Sequence, residues 1–231
     1  LRYLGDDYSV QERFFRQYYN AFKDELNASH RRADDRKRDP LGSVATRSNL
    51  MYIYEKLIND NADDCLNRLL EAGRIYAQLL RCPSDDMPKG LDKALCNLGR
   101  VQGAPAYVLM LHLFKYKATL HLDDQLLANI VTILVRFFVR RNLTDTPPTR
   151  DLTRLFMAMI EKLAELRGTA VVDLVHRELV SVSADDDLFR NKLSGPIYAE
   201  NFGVTHFVLC SLAEQAMTKE NWVDLWKVEN K

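Results

Sequence analysis

The sequence predicts an all-α fold, an irregular bundle of about ten helices around a central apolar helix at 122–141. Three observations carry this. Helix formers outnumber β-branched residues, with 34 Leu and 19 Ala against 16 Val, 7 Ile and 10 Thr. Gly and Pro are scarce, 9 and 7 in 231 residues, well below the usual combined share of about 12%. All seven prolines fall between apolar-periodic stretches or at the start of one, not in a helix interior, where proline costs about 3 kcal/mol. No alternating stretch is long enough for a strand, and no repeat of fixed period occurs.

The elements follow in order. Ser9 can cap a first helix, in which Val10, Phe14, Tyr18, Phe22 and Leu26 recur every four residues beside Phe15 and Tyr19. Residues 27–43 break the pattern with five basic and three acidic groups before Pro40 and Gly42, so they predict a flexible charged loop. The spacing predicts helices over 46–59, with Leu50, Ile53, Tyr54 and Leu57 inward, and over 63–81, with Leu66, Leu69, Leu70, Gly73, Tyr76, Ala77 and Leu80 inward. A loop at 82–89 leads to a short helix at 90–98. Pro105 then opens a helix, apolar on most sides, that reaches 116.

Residues 122–141 are nearly all apolar, which places this helix at the centre of the core. Thr146-Pro147-Pro148-Thr149 is a stop-and-restart signal. A helix at 151–167 ends at Gly168, and helices at 170–180, 185–193, 203–217 and 219–226 complete the chain. The chain reads as one helical domain over 1–231, or as two subdomains, 1–100 and 101–231.

Composition excludes several classes. Lys plus Arg and Asp plus Glu are 32 each, which argues against a general polyanion binder but leaves room for a local basic face. Hydrophobic residues at 47% and charged residues at 28% are globular values. The longest uncharged run of the most apolar segment, Gln125 to Val135, is eleven residues, whereas a membrane span needs about 20. Cys65, Cys82, Cys96 and Cys210 form no CxxC pair and read as buried, reduced thiols of a cytoplasmic protein. The chain starts at Leu1 without an initiator Met and stops at Lys231 straight after an amphipathic stretch, the pattern of a piece cut from a longer protein.

Three constellations could carry chemistry. His206, Cys210 and Glu214 are spaced four apart, so one helix face would hold three groups of zinc-ligand type. Apolar neighbours and the lack of a fourth ligand favour a Cys and a His beside a core. Asp185-Asp186-Asp187 reads as an acidic first turn, with Ser183 as the cap, ahead of a divalent-metal site. Arg136, Arg140 and Arg141 end the central helix, and Arg150 and Arg154 follow the Pro-Pro turn. These five could gather for phosphate contacts or interdomain contacts. The preferred reading is ion pairing to Asp145 and Asp151. HExxH, GxSxG, GxxxxGK[ST] and GxGxxG are all missing, and no cofactor is expected.

Several segments in order resemble one family. They are Tyr18-Tyr19-Asn-Ala-Phe22, Thr46-Arg-Ser-Asn-Leu50-Met-Tyr52-Ile-Tyr54-Glu and Leu69-Leu70-Glu-Ala-Gly-Arg-Ile-Tyr76. Phe137-Phe138-Val-Arg140-Arg141 runs on through Pro147-Pro148-Thr149 to Phe156. Ile197-Tyr198 and Thr205-His-Phe-Val-Leu209-Cys-Ser-Leu212-Ala-Glu214 close the set. The order resembles the helical middle and C-terminal part of GmrSD-type restriction endonucleases. Such proteins join an N-terminal ParB-like nucleotidase domain, a helical region and a C-terminal His-Me-finger (HNH-like) nuclease domain.

The resemblance implies a spacer and communication region of an anti-phage, modification-dependent DNA endonuclease. The two catalytic domains of the same parent chain would be its partners, and DNA would be reached through the parent. The family's acidic-Gly-Gln-Gln-Arg motif and its Glu-His-Ile motif have no match here, so no catalytic residue carries over. Arg140 and Arg141 match a family segment with an implied structural or interdomain role. The alternative is a helical protein-interaction scaffold unrelated to nucleic acid.

Overall fold

The computed structural model describes residues 4–32, 41–84 and 87–226, with only the backbone described for Arg31 and Arg32. Among these residues the chain forms ten α-helices and no strand. They are α1 (Tyr8–Arg32), α2 (Leu50–Leu80), α3 (Lys89–Arg100), α4 (Tyr107–Lys115) and α5 (Asp124–Thr144), then α6 (Thr149–Glu161), α7 (Thr169–Val182), α8 (Asp186–Leu193), α9 (Ile197–Glu200) and α10 (Phe202–Ala216). None is long and apolar enough to cross a membrane.

The core is built around two apolar helices. In α5, Leu127, Ile130, Val131, Leu134 and Phe138 are buried, as its composition predicts. The shorter α4 shares the centre, with Tyr107 to Leu111 and Leu113 all buried. α4 packs on α1, α2 and α6, while α5 packs on α3, α7, α8 and α10. Packing therefore crosses residue 100 in both directions, and a cut between 1–100 and 101–231 would separate packed partners.

Local hydrogen bonds explain where the elements depart from expectation. Asp7, not Ser9, caps α1, because its Oδ1 accepts from the Ser9 amide at 2.8 Å and from the Ser9 hydroxyl at 2.7 Å. The helices expected at 46–59 and 63–81 form one rod broken at Asn61 (φ −164°, ψ 97°). There the Asn61 side chain accepts from the Asp64 amide at 3.0 Å and recaps the second half. Cys65, Ala72, Gly73, Tyr76, Ala77 and Leu79 point inward, and the expected inward residues Leu66 and Leu70 are exposed.

Asp185 rather than Ser183 caps α8, accepting from the Leu188 amide at 2.7 Å. Residues 219–226 form turns instead of a helix. Asn221 Oδ1 takes the Thr218 amide and Asp224 Oδ1 takes the Trp226 amide, side-chain bonds that compete with helical ones.

The expected loop at 27–43 is shorter. Residues 27–32 continue α1, and His30 on its last turns is buried and paired with Asp60 of α2. Residues 33–40 lie outside the described residues. Beyond them the chain is docked: Leu41 is buried, Tyr19 donates to the Gly42 carbonyl at 2.6 Å, and Asn20 Oδ1 accepts from the Ala45 amide at 2.7 Å. The expectation of four reduced thiols is also corrected. Cys82 and Cys96 form a disulfide with Cα atoms 5.1 Å apart, while Cys65 and Cys210 are free and buried. A separation of 14 residues carries no sequence signature. Only the packing of α3 beside the 81–84 turn brings the pair together.

Candidate functional site

The five arginines separate into three groups. Arg140, near the end of α5, donates to the Ala184 carbonyl at 2.9 Å and to Asp186 Oδ1 at 2.7 Å, and its guanidinium lies 4.7 Å from the Phe189 ring centre. Hydrogen bonding and charge from Arg140 hold the Asp186 carboxyl below its ordinary range. Arg141 turns the other way. It donates to the Pro147 carbonyl at 3.0 Å, to Thr149 Oγ1 at 2.7 Å and to Asn142 Oδ1 at 2.8 Å, with Asp145 at 3.8 Å. It thereby braces the Pro-Pro turn between α5 and α6.

Arg136, Arg150 and Arg154 are exposed. Arg150 has only a loose contact with Asp151 at 3.9 Å. The expected pairing to Asp145 and Asp151 is present as the longer contacts of Arg141 and Arg150, while the shorter bonds of Arg140 and Arg141 go to the Ala184 and Pro147 carbonyls, Asp186, Thr149 and Asn142. Both arginines act as fastenings of the fold.

Arg136 and Arg140 line a cleft of about 520 Å³ between α5 and α7. Its floor is Ile133, Phe137, Leu179 and Val180, and His176, Ser183, Asp185 and Asp186 complete it. Sequence reading missed His176. It sits three residues before Leu179 at the edge of an ordinary amphipathic stripe, and only the packing of α5 on α7 puts it in one cleft with Arg136.

The trio on α10 splits. Cys210 Sγ lies 3.5 Å from His206 Nε2. Glu214 instead accepts from Trp226 Nε1 at 2.6 Å and faces Lys93 at 4.0 Å. Arg100 of α3 stacks over Trp226 at 3.8 Å. Burial, then the Glu214 charge, pushes the Cys210 thiol up, which disfavours the thiolate that metal binding or nucleophilic attack requires. Among the described residues no group of three His, Cys, Asp or Glu side chains could hold a metal ion. His206 and Glu214 seat the Trp226 turn on α10, and Arg100 ties it to α3.

α10 is apolar on nearly every side. Val204, Thr205, Phe207 and Cys210 face inward, while Phe202, Leu209 and Leu212 are each more than half exposed, beside Tyr198 of α9. No family model matches this chain, and neither a curated protein nor a solved structure matches it.

Proposed function

We propose that this chain is a non-catalytic helical spacer and communication domain of a DNA-targeting, modification-dependent restriction endonuclease of anti-phage defence. In this reading it works in the cytoplasm, where the Cys82–Cys96 disulfide must persist against a reducing thiol pool. It holds a ParB-like nucleotidase domain and a His-Me-finger nuclease domain of the same parent chain in register, and it reaches DNA through that parent. The chain-long resemblance of its segments supports the identity of those partners.

The observation that carries the spacer role is the outward face of α10. A helix apolar all round belongs in an interior, and a contiguous exposed apolar face marks an interaction site. Phe202, Leu209 and Leu212 of this largely apolar helix are each more than half exposed. Arg140 and Arg141 suit the same role, because a spacer must transmit position through rigid joints.

The coding sequence on either side tests the reading. The reading requires an acidic-Gly-Gln-Gln-Arg motif upstream and a Glu-His-Ile motif downstream. Finding neither would leave α10 as the docking face of a helical protein-interaction scaffold unrelated to nucleic acid.

A further inference from the structure

The cleft between α5 and α7 has a polar inventory that selects a ligand class. Asp185 caps α8 through the Leu188 amide. Asp186 is bound by Arg140, which also takes the Ala184 carbonyl. The Ser183 hydroxyl donates to the Leu179 carbonyl at 2.7 Å. Beside the second oxygens of Asp185 and Asp186, the polar side chains of the lining with every polar atom open are Arg136 and His176. Both are exposed, and neither has a hydrogen bond or ion pair among the described residues. Both offer N–H donors, and arginine offers a planar fork that matches a carboxylate.

The floor is hydrocarbon. Phe137 and Leu179 are buried in it, and Val180 presents 59% of its surface uncovered. The volume of about 520 Å³ lies inside the roughly 300–1,000 Å³ of small-molecule sites, which combine an apolar lining with a few placed polar groups. Arg140 reaches across from α5 to the α7–α8 turn and closes one end, so the cleft suits a short ligand better than a through-running helix. The Asp185 and Asp186 charges at that end disfavour a dianion such as phosphate.

We infer that this cleft binds a small amphipathic carboxylate, with its aromatic or aliphatic body on Ile133, Phe137, Leu179 and Val180 and its carboxylate held by Arg136 and His176. This assignment is independent of the spacer role.

The probe is naphthalene-2-carboxylate, titrated into the isotope-labelled chain and followed by amide chemical shifts. Naphthalene-2-methanol and 2-naphthylmethylamine are run beside it. Affinity near millimolar is expected for a ligand of this size. Shifts should map to 133–140 and 176–186, the carboxylate should bind about tenfold more tightly than the alcohol, and the amine should bind more weakly still. Arg136→Gln should remove that tenfold preference without changing the alcohol's affinity. His176→Gln should reduce the preference by a smaller factor, and Val180→Asp should abolish binding of both. All three positions are exposed, and a melting curve for each variant checks folding. No shift at 10 mM probe, shifts centred elsewhere, equal affinity for acid, alcohol and amine, or an unchanged preference in Arg136→Gln would each overturn the assignment.

Discussion

Tyr76 of α2 donates its hydroxyl hydrogen to Gln17 Oε1 of α1 across 2.8 Å, inside the core. The Gln17 amide passes the connection on to the Ala104 carbonyl at 2.7 Å, and Arg13 Nε donates back to the Tyr76 oxygen at 3.3 Å. Burial raises the Tyr76 hydroxyl to about 12, so it stays a donor across the physiological range. Tyr76→Phe keeps the ring but leaves a buried amide oxygen unpaired. A loss of about 1–3 kcal/mol in denaturant unfolding is expected; a loss below about 0.5 kcal/mol would show that the chain of bonds is incidental.

The core helix α5 makes a sharper contrast. Leu134 is fully buried on it and Val180 faces solvent on α7. Leu134→Ala should cost about 2–5 kcal/mol, whereas Val180→Ala should stay within about 0.5 kcal/mol. Similar costs at the two sites would mean that α5 is not the core of its half.

His112 sits where α1 breaks at Phe22 (φ −125°, ψ 19°), with its ring against the Phe22 ring. Burial lowers its pKa below the ordinary 6.5. The folded state then binds fewer protons than the unfolded state. Stability from this group is full above about pH 6.5 and falls as the pH drops toward the folded pKa, by at most about 1.4 kcal/mol per pH unit. Below that pKa the loss is complete. Urea titrations of the parent and of His112→Phe between pH 7.5 and 5 should diverge in slope, with the variant flatter. Parallel profiles would rule out a titrating His112.

The disulfide closes a loop whose ends are 14 residues apart. Cross-links around loops of about 15 residues contribute roughly 3 kcal/mol in the chain-entropy account. Cys82→Ser, or reduction of the parent, should lower stability by an amount of that order, and reductant should not affect the variant. Free-thiol titration that finds all four cysteines reactive after unfolding without reductant would contradict the pairing.

The sequence exposes what local chemistry decides. The apolar run at 122–141, the Pro-Pro junction and the break near Asn61 are all visible because each is set by residues within a few positions. The face of 63–81 is legible only in part, because Gly73, Tyr76 and Ala77 are buried whereas Leu66 and Leu70 line an open cavity beside Phe14 and Phe15. Ser9 and Ser183 look like caps, yet nearby Asp7 and Asp185 supply stronger acceptors. His30, the Cys82–Cys96 pair and the His176–Arg136 cleft depend on which helices pack together, and no spacing along the chain encodes that.

Arg140 and Arg141 carry the central claim, that the double arginine fastens the fold and does not grip DNA. The most direct measurement pairs unfolding curves with a salt titration of DNA binding, for the parent, Arg140→Ala and Arg141→Ala. Removing either donor strands carbonyls at Ala184 or Pro147, so each variant should lose about 1–3 kcal/mol of stability with no change in the dependence of log affinity on log salt. Unchanged unfolding together with a salt slope reduced by about one unit would contradict the account and make these arginines phosphate contacts.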